Sequence, residues 1–218
     1  MSISGTDKRL SNALNQLISE DALIQNQGVE TLIELGAAAI QELQSLLKHE
    51  RSDVRSQSMY ALARIAAPKA AQIFQIGLYD SDERVRAYAA MGLARINHPD
   101  ALAASLLTIN DAPDLLHSDM TPAVQTIGEI GIKAAPQLLE LLMSDDGNTR
   151  LHAQRALELI VSRIYGFHPG KGFLTSESDL KARNAWRDHG NYDYSADATA
   201  RAIATSNLRD WLQTLMEQ

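Results

Sequence analysis

No cysteine occurs among the 218 residues. That excludes a disulfide framework, a thiolate metal site and a cysteine nucleophile. Aromatic residues make up only 5% of the chain, with three phenylalanines and two tryptophans. No apolar run approaches the roughly 18 residues that would span a bilayer, so no membrane partner is expected. Positive charge is also short: the formal net charge is −7. A protein that grips a phosphate backbone needs a basic face, so no nucleic-acid partner is expected. The stretch from Met1 to Asp7 is polar and has no apolar signal-peptide core, which leads to the expectation of a soluble, cytoplasmic protein. The six histidines, at 49, 98, 117, 152, 168 and 189, include no His-x-x-x-His pair; no metal site is expected.

What the chain does have is alanine, leucine and a repeated phrase. Asp53-Val54-Arg55 followed by Tyr60-Ala61-Leu62-Ala63-Arg64-Ile65 returns 31 residues later as Arg84-Val85-Arg86 followed by Met91-Gly92-Leu93-Ala94-Arg95-Ile96. A period of about 20–50 residues marks stacked helical repeats. The aligned apolar pairs are Leu32/Leu35, Leu62/Ile65, Leu93/Ile96, Ile127/Ile130 and Leu157/Ile160, at steps of 30, 31, 34 and 30 residues. The longest step coincides with Asn110 to Ser118, where an enlarged loop is expected. Between these pairs lie second stripes, such as Ile40, Leu43, Leu46 and Leu47, spaced as one face of a helix. Gly36, Pro68, Pro99 and Pro136 punctuate the junctions.

Each unit therefore reads helix, turn, helix, turn. One such pair cannot bury its apolar faces alone, so neighbours must stack. The expected fold is all-α: an α–α superhelix of about five helix pairs with a helical C-terminal cap. The array is assigned to residues 1–163, with Lys8 to Ala22 as an N-terminal capping helix, and the cap to residues 164–218.

The pattern Asp-x-x-x-x-Val-Arg-x-x-Ala-x-x-x-Leu-x-x-Ile resembles that of HEAT-like repeats, of the short kind found in bacterial scaffold proteins and phycobilisome lyase subunits. Asp80, Val85, Arg86, Ala89, Leu93 and Ile96 carry it in full. Asp53 to Ile65 fits nearly as well, and Asp145, Arg150, Ala153, Leu157 and Ile160 fit with Thr149 in the valine place. The unit from Asp119 to Ile130 lacks the arginine, and the unit near Ile24 to Leu35 lacks both motif residues. The motif arginines are expected to reach the Asp-rich turns as a structural ladder.

This resemblance implies a right-handed superhelix whose second helices line a concave face. On that face the positions opposite the core are Tyr60, Arg64, Tyr88, Met91, Arg95, Gln125, Glu129, His152 and Arg155, with Glu30 and Glu34 in the first unit. Aromatic, methionine and arginine side chains favour interface centres. The implied function is a non-catalytic scaffold or adaptor that binds another protein. The same likeness allows a phycobilin lyase or lyase-like subunit, which would hold a tetrapyrrole as partner. It also allows a HEAT-like DNA glycosylase, against which the net charge of −7 counts.

Beyond Arg163 the pattern changes. Tyr165 to Phe173 reads as a glycine-rich loop. Ser176 is the expected N-cap of a helix carrying Leu180, Ala182, Ala185 and Trp186 and ending near Gly190, the expected C′ residue. Ser195 is the expected cap of a last helix bearing Ala202, Ile203, Leu208, Trp211, Leu212 and Leu215. Tyr165, Phe167, Phe173, Tyr192 and Tyr194 form a candidate aromatic patch, and both tryptophans are expected inside the cap. Lys171 among glycines does not complete a phosphate-binding loop, no nucleophile stands beside a base, and no cofactor is expected.

Overall fold

The computed structural model describes residues 5–113 and 120–217. The motif position Asp119, His117 and most of the expected loop from Asn110 to Ser118 lie outside the described residues. The fold is all-α, with helices stacked as in an α-solenoid, and it divides into two compact units, Met1–Ala104 and Ser105–Gln218. No described helix is long and apolar enough to cross a membrane.

The first unit contains α1 (Gly5–Leu17), α2 (Ala22–Leu35), α3 (Ile40–Leu46), α4 (Ser52–Ile65), α5 (Ala71–Gly77) and α6 (Glu83–Arg95). The division between the units falls inside α7 (Ala101–Leu107). In the first unit α1 packs on α2, α3 on α4 and α5 on α6, while α2, α4 and α6 form a row. Local chemistry sets the helix ends. The Asp21 carboxylate accepts from the Leu23 and Ile24 amides, and Asp82 accepts from Arg84, the usual work of an N-cap. Gly36 stops α2 in a left-handed conformation, φ 59°, that costs glycine little. Gly28 is needed for a different reason. A Cβ there would sit 2.6 Å from the Ala13 carbonyl oxygen and the Leu17 nitrogen, so α1 and α2 touch through their backbones.

The repeat period shows directly in burial. Leu32, Leu62, Leu93, Ile127 and Leu157 are all at most 1% exposed. The second position of each pair departs from expectation. Leu35, Ile65, Ile96 and Ile130 are only half-buried, whereas Ile160 is 1% exposed. The cause is where each helix stops. Leu35, Ile65 and Ile130 are the last residues of their helices and Ile96 is a C-cap, but Ile160 lies within the longer α10.

The motif arginines share one structural task. Nη1 of Arg55 donates to the His49 and Glu50 carbonyls, that of Arg86 to the Asp80 and Ser81 carbonyls, and that of Arg150 to the Ser144 and Asp145 carbonyls. Each guanidinium ties its helix to the turn just before it. Arg55 also forms the expected rung to the next turn, with Nε and Nη2 at 3.0 and 2.9 Å from the two Asp80 oxygens. One turn earlier Arg51 and Gln25 hold Asp53 in the corresponding way.

These rungs make stability depend on acid. Burial pushes the Asp80 carboxyl up, but the Arg55 guanidinium and the Asp82 amide outweigh it and hold it below the ordinary value. Asp53 is held at about 2, chiefly by its hydrogen bond from Arg51, with desolvation opposing. Both titrate lower in the folded chain than the roughly 3.9 of a free aspartate. Their stabilisation is therefore complete above that value and is lost as pH falls through the folded-state value. Asp80→Asn should cost about 1–3 kcal/mol at neutral pH, as for other hydrogen bonds between charged groups. The difference from the wild type in urea unfolding should shrink near pH ~3. A difference that stays constant down to that pH would contradict the ion-pair account.

The second unit contains α8 (Pro122–Ile130), α9 (Ala135–Leu141), α10 (Gly147–Ile164), strands β1 (Phe167–His168) and β2 (Gly172–Phe173), α11 (Ser176–Asp188) and α12 (Ala198–Met216). Here α8, α9 and α11 pack on α10, and α12 packs on α9. Three local expectations are corrected. The glycine-rich segment is a short hairpin, with Phe167 opposite Phe173 and their rings 5.4 Å apart, edge to face. Thr175, not Ser176, caps α11, and Asp197, not Ser195, caps α12. Ser195 instead donates to Asp193. The buried stripe of α12 is Ala204, Thr205, Leu208, Trp211 and Leu212. Ala202 and Ile203 fall off that stripe and are exposed, as is Leu180 on α11.

Candidate functional site

In the first unit, α2, α4 and α6 present one continuous side. Tyr60 on α4 and Tyr88 on α6 lie with ring centroids 5.1 Å apart at 59°. Arg64, one turn along α4, donates to the Tyr60 hydroxyl at 2.6 Å, and its guanidinium lies 5.5 Å from the Tyr60 ring centroid. The two tyrosines, with Val29, Glu30 and Gln57, line a recess of about 320 Å³. Both rings are half-buried, and burial raises the Tyr88 phenol above its usual range. Met91 and Arg95 continue along α6, half-buried and exposed respectively. Glu30 borders the recess, while Glu34 is paired with Arg9 at 2.9 Å. This surface combines aromatic area with the directional donors of Arg64.

A second recess of the same unit, about 390 Å³, is bordered by α3 and α5. Leu47, Ile73, Ile76 and Tyr79 line it, the last two being 68% and 83% exposed. The sequence reading singles out neither Ile76 nor Tyr79, because both fall off the apolar helical stripes.

The second unit treats the expected site residues unequally. Gln125 and Glu129 are exposed on α8. His152 is not a surface residue: it is 5% exposed, and its Nδ1 lies 2.7 Å from Oδ1 of Asn110. Asn110 in turn donates to Thr149 and Asp146. His152 therefore belongs to a polar lock between the start of α10 and the segment after α7. Tyr192 is likewise corrected. It is 2% exposed, and its hydroxyl donates to the Leu142 carbonyl at the end of α9. Tyr165, Phe167, Phe173 and Tyr194 are half-buried. The Tyr194 amide donates to Gln154 and its carbonyl accepts from Arg150, which ties the backbone at Tyr194 to α10.

A groove of about 650 Å³ runs between α10 and α11. Arg155 and Glu158 border it from α10; Asp179, Arg183, Trp186 and Arg187 border it from α11. Arg155 donates to Glu158 at 2.9 Å and Arg183 to Asp179 at 2.8 Å. Arg155 and Phe173 are candidate site residues from the sequence; Trp186 is expected there only as a cap residue, and Arg183 and Arg187 are not named. A signal was present: Asp179, Arg183 and Arg187 recur every four residues, with Trp186 beside the last. Among the described residues no three His, Asp or Glu side chains converge as a metal ion would need.

No curated protein matches the sequence. Among solved structures, the crystal structure of an engineered protein is similar at 20% identity and a TM-score of 0.41, over 92% of this chain and 96% of that one. Another crystal structure of an engineered protein is similar at 21% identity and a TM-score of 0.40, over 91% of this chain and 57% of the other. Residues 73–158, which run from α5 into α10, match the family model for HEAT repeats.

Proposed function

We propose that this chain is a non-catalytic, cytoplasmic protein-binding scaffold, and that its partner polypeptide is gripped by Tyr60, Arg64, Tyr88, Met91 and Arg95 in the first unit. The observation that carries this reading is the Tyr60–Tyr88 pair, held at 5.1 Å over a recess and braced by Arg64. Side chains already immobilised lose little entropy when a partner docks, so more of the contact energy appears as affinity. The HEAT-repeat match supports it in general terms, since stacked helix pairs offer extended surfaces rather than deep pockets. In the second unit Gln125, Glu129 and Arg155 are the corresponding accessible positions. Within this reading residues 1–163 are the binding array and 164–218 its cap.

The test is an Arg64→Glu, Arg95→Glu double variant. Both side chains are exposed, and such substitutions usually change stability by under about 0.5 kcal/mol each. The melting temperature should hold within a few degrees. Proteins captured from the native host by the wild-type chain should be missing from the variant's capture. Identical recovery by both proteins would remove this surface from consideration.

A further inference from the structure

Two arginines beside the Tyr60–Tyr88 recess differ from the other arginines of the first unit. Arg9, Arg51, Arg55 and Arg84 hold the carboxylates of Glu34, Asp53, Asp80 and Asp82 respectively. Arg86 is tied to the Asp80 and Ser81 carbonyls. Arg64 donates to the neutral Tyr60 hydroxyl, and neither Arg64 nor Arg95 meets a carboxylate among the described residues. Both are exposed. A guanidinium has five N–H donors in a planar fork that suits a carboxylate, and here that capacity is unused.

The repeat sets their placement. Arg95 follows Arg64 by 31 residues, as Met91 follows Tyr60, and α4 packs on α6. On each helix one turn separates the apolar residue from the arginine. The half-buried Tyr60 and Met91 therefore form one row, and the exposed Arg64 and Arg95 the next. Packed helices lie about 8–10 Å apart, axis to axis. In a polyproline II segment residues i and i+3 share a side and lie about 9 Å apart, so two acidic residues at that spacing reach both arginines. Negative charge lies on the other flank, on α2, which packs against α4. There Glu34 is already held by Arg9, and Glu30 repels an acidic run that extends past α4. The net charge of −7 opposes an acidic partner elsewhere, which fixes where it docks.

We infer that the partner segment docking on this surface is a short extended acidic stretch of another protein, with two carboxylates three residues apart on Arg64 and Arg95 and an apolar side chain against Tyr60 and Met91. This rests on the protein-binding reading above and adds the chemistry of the partner to it.

The test titrates the full chain into the dye-labelled, capped peptides Leu-Glu-Pro-Pro-Glu-Leu and Leu-Gln-Pro-Pro-Gln-Leu, following fluorescence anisotropy. The acidic peptide should bind, and the amide form should bind at least about tenfold more weakly. Binding of the acidic peptide should weaken with added salt. Arg64→Gln with Arg95→Gln should weaken it by at least about tenfold with an unchanged melting temperature, whereas Arg183→Gln with Arg187→Gln, on α11, should leave it intact. Failure of the acidic peptide to bind, or insensitivity to the Arg64 and Arg95 changes, overturns the inference. So does tighter binding of a mixed-sequence oligonucleotide, which would make the anion a phosphate, or self-association that Arg64→Glu with Arg95→Glu abolishes, which would make the occupant a second copy of this chain. Equal binding of acid and amide peptides, with capture from the host still lost in Arg64→Glu, Arg95→Glu, overturns the acidic partner and leaves the protein-binding reading standing. Capture unchanged in that variant removes the reading itself, and the inference with it.

Discussion

Removal of residues 164–218 is expected to leave a fragment that aggregates or melts early. The deleted segment covers apolar surface and carries specific bonds. From α12, Leu208, Trp211 and Leu212 are at most 8% exposed, and this helix packs on α9 while α11 packs on α10. Tyr192 donates to the Leu142 carbonyl, Arg150 to the Tyr194 carbonyl, and the Tyr194 amide to Gln154. Deletion would bare the matching sides of α9 and α10. Terminal repeats need a polar outer side for solubility, and large exposed apolar patches drive association. The comparison is between residues 1–163 and the full chain, by size-exclusion chromatography and by melting followed with circular dichroism. A soluble, equally stable 1–163 fragment would show that the segment is an appendage rather than a cap. In the full chain Trp211 should emit as a buried group and Trp186 as a partly exposed one, because Trp186 borders the α10/α11 groove. Of the two tryptophans expected to be mostly buried, Trp211 is buried and Trp186 is half-buried.

Leu93→Ala should destabilise the chain by about 2–5 kcal/mol, the sum of lost transfer energy and the cavity left behind. Leu93 is 0% exposed on α6, in a close-packed region where the neighbouring Gly92 has no room for a Cβ against the Phe74 ring. Such a site has little scope to collapse. Ile96 occupies the paired position of the repeat but is only half-buried at the C-cap of α6. Ile96→Ala should cost about 1 kcal/mol, in proportion to the smaller area it hides. Chemical unfolding of both variants checks the contrast. Equal costs would mean that repeat position, and not helix length, sets the energetics.

The sequence by itself determined the architecture. Burial in a helix pair follows from periodicity within a short window, and the same window recurs along the chain. That is why Leu32, Leu62, Leu93, Ile127 and Leu157 all lie in the core. The motif arginines were legible for the same reason, since Arg55, Arg86 and Arg150 reach carbonyls only five and six residues back. Tyr60 and Arg64 share a helix surface because they are four residues apart, a spacing any helix enforces. Tertiary structure decided what depends on distant neighbours. His152 looked accessible by its place in the repeat, but its partner Asn110 is 42 residues away. Tyr192 looked like surface aromatic until its hydroxyl met a carbonyl 50 residues earlier. The α10/α11 groove exists only because α11 packs beside α10 and brings Arg183, Arg187 and Trp186 opposite Arg155. Helical spacing dictates which residues share a face of one helix, but the angle at which two helices meet is chosen by the whole packed core.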